Sequence, residues 1–85
     1  MNPSSALAAN NVGFLYYKMD KFDEALRWYE KTIVIDHRRY QAYANLGDLY
    51  YQLNRTADAQ RIYEKFLELA PKSPYAPTVR ARLGK

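Results

Sequence analysis

Apolar residues along this chain recur at helical spacing. Ala9, Val12, Gly13, Tyr16 and Met19 fall at i, i+3, i+4, i+7 and i+10, which is one face of an α-helix. After a break at Asp20-Lys21, Phe22, Ala25, Leu26, Tyr29 and Ile33 do the same. Both stretches then return. A shift of 34 residues lays 6–39 over 40–73 without a gap. Eleven positions coincide: Ala8/Ala42, Asn11/Asn45, Gly13/Gly47, Leu15/Leu49, Tyr16/Tyr50, Tyr17/Tyr51, Ala25/Ala59, Arg27/Arg61, Tyr29/Tyr63, Glu30/Glu64 and Lys31/Lys65. A fixed period of this length is the signature of stacked like units, each unable to bury its apolar face alone.

The pattern predicts an all-α fold with helices near 6–19, 22–35, 40–53 and 56–69, and a shorter fifth near 75–83. Asp20 and Asn54 stand at the breaks inside each unit, where both residue types tolerate the left-handed conformation that ends a helix. Thr56 is placed to cap the fourth helix, with Asp58 favouring the dipole in its first turn. Pro71 stops that helix, Ser73-Pro74 suits the start of the fifth, and Pro77 still falls in its first turn. Gly84 ends it. Gly13 and Gly47 each cost about 1 kcal/mol of helix propensity, which makes sense where a neighbouring helix must approach closely. Tyr16/Tyr50 and Tyr29/Tyr63 are expected to fill the wider gaps beside them. Glu24/Arg27 and Asp58/Arg61 are expected to pair outward at i, i+3, for roughly 0.2–0.5 kcal/mol each.

These residues resemble the tetratricopeptide repeat, a 34-residue helix–turn–helix unit. The first unit carries Val12-Gly13-x-x-Tyr16, then Ala25, Tyr29 and Thr32; the second carries Tyr43-x-x-Leu46-Gly47-x-x-Tyr50, then Ala59, Tyr63, Phe66 and Pro71. The first unit departs at Ala9, Thr32 and His37, where the family usually has an aromatic, Ala and Pro. The resemblance covers 6–73 as repeats 6–39 and 40–73, and the fifth helix resembles the start of a third repeat or a solvating cap. The whole of 1–85 then reads as one domain.

The resemblance implies antiparallel helix hairpins stacked in a right-handed superhelix. Their first helices would line a concave groove that holds a segment of a partner protein. Family groove positions fall on Leu7, Asn10, Asn11, Phe14, Tyr17 and Lys18, then on Gln41, Asn45, Asp48, Tyr51 and Gln52. The strongest candidates for contact are Asn11, Phe14, Tyr17, Gln41, Asn45, Asp48, Tyr51 and Gln52. An Asn amide both donates and accepts, so Asn11 and Asn45 suit a peptide backbone. Tyr17 and Tyr51 offer flat contact area at low entropic cost. The plainer alternative makes these tyrosines core and these amides partners of nearby carbonyls. Family members that grip chaperone tails use a carboxylate clamp of Lys, Asn, Asn, Lys and Arg. Those positions hold Asn10, Phe14, Asn45, Tyr75 and Val79 here, so only Asn45 fits and that ligand is disfavoured.

Composition narrows the chemistry further. The 85 residues suffice for one thin-cored domain. Nine tyrosines supply rings with a polar tip, suited to half-buried packing and to binding surfaces. Absence of Cys excludes disulfides and thiolate chemistry. His37 stands alone in a turn, and Asp20, Asp23 and Glu24 suit helix ends better than acid–base work. No phosphate loop, Ca²⁺ loop, nucleophile elbow or zinc motif occurs, so no cofactor and no enzyme activity is expected. The opening Met1-Asn2-Pro3-Ser4-Ser5 lacks the form of a signal peptide, no apolar run reaches membrane-span length, and the compartment stays open.

The net charge of +4 sits in the tail. Residues 1–69 balance nine basic against nine acidic, and Lys72, Arg80, Arg82 and Lys85 follow. A solvated terminal helix explains this better than a nucleic-acid surface, which forms a broader stripe. The leading expectation is a protein- or peptide-binding module. The alternative is self-assembly through exposed repeat ends, giving a homo-oligomer through terminal helices.

Overall fold

The computed structural model describes residues 3–84, with side chains from Ser5 onward. Met1, Asn2 and the Lys85 of the basic tail lie outside the described residues. Five helices follow one another: α1 (Pro3–Lys18), α2 (Phe22–Ile35), α3 (Tyr40–Gln52), α4 (Thr56–Leu69) and α5 (Ala76–Arg82). α1 packs on α2 and α3 on α4, as two helix hairpins. α3 then packs across α2 and touches α1, and α5 rests on α4. Among the described residues no helix is long and apolar enough to cross a membrane.

The breaks follow from backbone chemistry. Asp20 and Asn54 take φ of 59° and 62°, the left-handed turn that stops α1 and α3. Met19 lies within the first of these turns, and its side chain is 58% exposed rather than on the core face. α1 begins at Pro3, three residues before the expected start, because a proline without an N–H suits a first helical position. α5 begins later than expected: Tyr75 precedes its first residue and Pro77 lies in its first turn. Ser73 instead holds a turn, its Oγ accepting the Tyr75 N–H at 3.2 Å. Thr56 is not the cap of α4. It is the first helical residue, behind Arg55, which makes no capping bond.

Gly13 and Gly47 mark the closest helix approaches. A Cβ added to Gly47 would stand 2.5 Å from Cδ1 and Cε1 of Tyr63, and one on Gly13 would stand 2.7 Å from the same atoms of Tyr29. Each tyrosine ring therefore lies directly against the bare backbone of a glycine, and not in a wider gap beside it as the sequence led one to expect. The core runs through both hairpins: Ala25 and Tyr29 from α2, Leu46, Leu49 and Tyr50 from α3, Tyr63 and Phe66 from α4, and Ala76 and Val79 from α5. Thr32, where the family usually has Ala, is fully buried and donates its hydroxyl to the Trp28 carbonyl at 2.8 Å.

Identical residues of the two units do not share an environment. Leu49 is fully buried in the core that both hairpins share, whereas Leu15, its counterpart, is 60% exposed, because none of the described elements covers that side of α1. The surface ion pairs also differ. Asp58 takes Arg55 at 2.8 Å and Arg61 at 3.3 Å, while the expected Glu24/Arg27 pair does not form. Exposed pairs of this kind gain little over the entropy of holding two long side chains.

Candidate functional site

α1 and α3 lie side by side and present one continuous face. Phe14 and Tyr17, one helical turn apart on α1, stack with ring centroids 6.3 Å apart. Phe14 is 47% exposed, and the Lys18 ammonium stands 5.5 Å from its ring. Two bonds fasten α1 to α3. The Tyr17 hydroxyl donates to Gln52 Oε1 at 2.5 Å, and Asn45 Nδ2 donates to Asn10 Oδ1 at 3.1 Å. The amide partner of Asn45 is thus the buried Asn10, and Asn11, its counterpart by identity, stays exposed.

Three hollows open along this face. The first, of about 70 Å³, lies between Phe14, Tyr17, Tyr29, Asn45 and Asp48. The second, about 260 Å³, runs from Tyr40 and Gln41 past Asn45 and Asp48 to Phe66 and Tyr75. The third, about 430 Å³, is lined by Tyr17, Asp48, Tyr51, Gln52, Asn54 and Arg82. Phe14, Tyr17, Gln41, Asn45, Asp48, Tyr51 and Gln52 each line at least one of these hollows, and Asn11 lines none of the three. A larger hollow of about 510 Å³ opens on the opposite side of α3, where Ile33, Leu46 and Ile62 floor a cleft edged by Glu30, Lys65 and Glu68.

Asp48 lines all three hollows of the α1–α3 face, and it is the hub of a network that sequence reasoning missed. Its Oδ1 accepts from the Tyr63 hydroxyl at 2.5 Å, the Tyr75 hydroxyl at 2.7 Å and Arg82 Nη1 at 2.8 Å. Arg82 also donates to the Tyr63 oxygen at 2.7 Å and lies over the Tyr51 ring, 4.6 Å from its centroid. The signal for this was present: Asp48 and Arg82 stand 34 residues apart, equivalent positions on successive first helices. Arg82 thus belongs to the fold and not to a loose tail. Arg80, its neighbour in that tail, donates to the Pro71 carbonyl at 2.9 Å.

Burial and this network set the ionisation of the cluster. Burial, joined by the hydrogen bond to Asp48, pushes the Tyr75 phenol up to about 12. Burial is also the largest cause raising Tyr63, reinforced by its bond to Asp48 and opposed by Arg82. At Arg82 burial works against the charge, and the hydrogen bond to Tyr63 with the neighbouring Asp48 carboxylate outweighs it, so the guanidinium is held more firmly protonated. A carboxylate oxygen that accepts from three donors is a good anchor for a planar cation. Among the described residues, no three His, Asp or Glu side chains converge as a metal ion would require.

Comparison with known proteins places this geometry. Residues 4–72 match the sequence model of the tetratricopeptide repeat. A tetratricopeptide repeat domain protein from Salinibacter ruber, solved by NMR, is 25% identical with a TM-score of 0.81, over 99% of this chain and 89% of that one. The first such domain of Spaghetti, solved bound to the HSP90 peptide SRMEEVD, is 19% identical with a TM-score of 0.50, over 100% of this chain and 98% of that one. No curated protein matches the sequence.

Proposed function

Because the chain belongs to the tetratricopeptide repeat family, we propose that it is a non-catalytic module whose α1–α3 face holds a segment of a partner protein. Repeats of this family generally mediate protein–protein interaction. The observation that carries the reading is a row of exposed aromatic and amide side chains, Phe14, Gln41, Tyr51 and Gln52, around three hollows that share Asp48 in their lining. Rings supply apolar area and the amides supply both hydrogen-bonding roles, which suits an extended backbone.

The Spaghetti domain holds an HSP90 peptide, and at 19% identity that likeness carries the fold alone. The residues here argue against an acidic chain end as ligand. Val79, at one clamp position, is fully buried, and Tyr75, at another, is bonded to Asp48. Among the described residues, the only cation lining the three hollows is Arg82, which is already paired with that carboxylate.

Phe14 and Gln41 are the residues to replace, since Asn45 and Tyr51 also support the fold through Asn10 and Arg82. Peptides are selected from a displayed random library against the chain, and the best binder is titrated calorimetrically. Phe14→Ala with Gln41→Ala should weaken it about tenfold or more, as loss of an aromatic anchor typically does. Helicity should not change. Undiminished binding by the folded double variant would remove the groove assignment.

A further inference from the structure

We propose that the cage around Arg82 is an arginine-binding subsite, closed in this structure by the chain's own α5, and that it receives an arginine side chain of the partner segment. The proposal rests on the α1–α3 face being the partner surface, and it adds the chemistry that this surface selects.

The cage has the parts a guanidinium needs. Asp48 supplies the charge, the Tyr63 and Tyr75 oxygens stand 2.7 and 3.2 Å from Arg82 Nη1, and the Tyr51 ring supplies a flat surface beneath the plane. Among the described residues, Asp48 is the only acidic one lining the three hollows, so it is their point of attraction for a cation. Lysine satisfies it poorly, since an ammonium is strongly hydrated and has no plane to stack.

Arg82 is able to leave. It is the last residue of α5, and the pair it forms with Asp48 leaves both side chains 31% exposed. Hollows lie on both sides of it, about 430 Å³ towards Tyr17 and Gln52 and about 90 Å³ towards Thr56 and Gln60. Ala76 and Val79, both fully buried, hold α5 to the body without it. Exchange of one arginine for another never strands the Asp48 carboxylate without a cation, which is the costly outcome in a half-buried site. The open and closed forms therefore differ mainly in whose arginine occupies the cage, and α5 competes with the partner for it.

The test uses the full chain and N-acetyl-argininamide as probe, followed by the NMR shifts of the Tyr51 and Tyr63 rings. Arg82→Gln should bind the probe saturably and about fivefold or more tighter than the unmodified chain, the lower end of coupling between competing sites. N-acetyl-lysinamide should bind Arg82→Gln more weakly than the arginine compound, and adding Asp48→Asn should abolish both responses. Arg82→Lys, which keeps the cation and removes the plane, serves as second variant and should also bind the arginine compound more tightly than the unmodified chain. Equal affinity for the arginine probe in the unmodified chain and in a folded variant, or no preference over lysine, overturns the subsite. Failure of the groove reading shows separately. Selected peptides would then ignore Phe14→Ala with Gln41→Ala, while the arginine probe still entered the cage.

Discussion

Substituting Gly47 by Ala sets two computable effects against each other. Alanine gains about 0.8–1.0 kcal/mol of helix propensity over glycine. The new Cβ, however, would lie 2.5 Å from two ring carbons of Tyr63, a fully buried side chain. Overpacking of that kind costs about 1–3 kcal/mol. Any ring shift also stretches the Tyr63 bond to Asp48, and a bond to a charged acceptor contributes about 1.5–3 kcal/mol. Packing and bond outweigh propensity, so Gly47→Ala should lose about 2–3 kcal/mol. At about 4–8 °C per kcal/mol for a domain of this size, Tm should fall by at least 8 °C or so. Gly13→Ala is the internal control. Its Cβ would meet Tyr29 at 2.7 Å, but the Tyr29 hydroxyl has no hydrogen bond to lose among the described residues, so the loss should be about 1 kcal/mol. Urea titration and thermal melting followed by circular dichroism measure both. A more stable Gly47→Ala, or a Gly13→Ala that costs as much, would refute the close-approach account.

Two further outcomes follow from the backbone and the tyrosine cluster. Tyr75 holds its proton up to about pH 12, against about 10 in the unfolded chain, so between these values the folded state binds more protons. Stability should be level below about pH 10 and then fall through about pH 12, with the raised Tyr63 and Tyr29 extending the loss upward; a urea midpoint that stays flat across this range would contradict the burial of the cluster. Asn54, at φ 62°, should tolerate Gly with little change, whereas Asn54→Val should lose about 1–2 kcal/mol in melting experiments, as a branched residue forced left-handed does; equal effects would mean that the turn relaxes.

The stacked-hairpin architecture was legible because its determinants are local and written twice. The Gly/Tyr pairs, the Asp20 and Asn54 stops and the helical spacing each state one short-range requirement. Contacts between units were harder to read. A shared repeat position does not name a contact: Asn45 bonds to Asn10, 35 residues away, and Tyr17 likewise meets Gln52 at 35. Neighbouring helices in the stack are rotated, so contact partners need not be counterparts. Arg82 was counted as tail charge because a sum along the chain carries no geometry; its spacing from Asp48 carried the information. Thr56 had the right chemistry for a cap and sat one residue too late.

Leu15 and Leu49 extend this beyond binding. They are one residue type at one repeat position, fully buried in α3 and 60% exposed in α1. Rigidity in such a stack is supplied by the adjoining hairpin and not by the residue, so the two units form a gradient, with α3 clasped on both sides and α1 on one. Amide protons should then exchange sooner from α1 than from α3. In the proposed partner surface, the half built on α1, with Phe14 and Tyr17, would accordingly be the adaptable half, and the half built on α3 the template against which it settles.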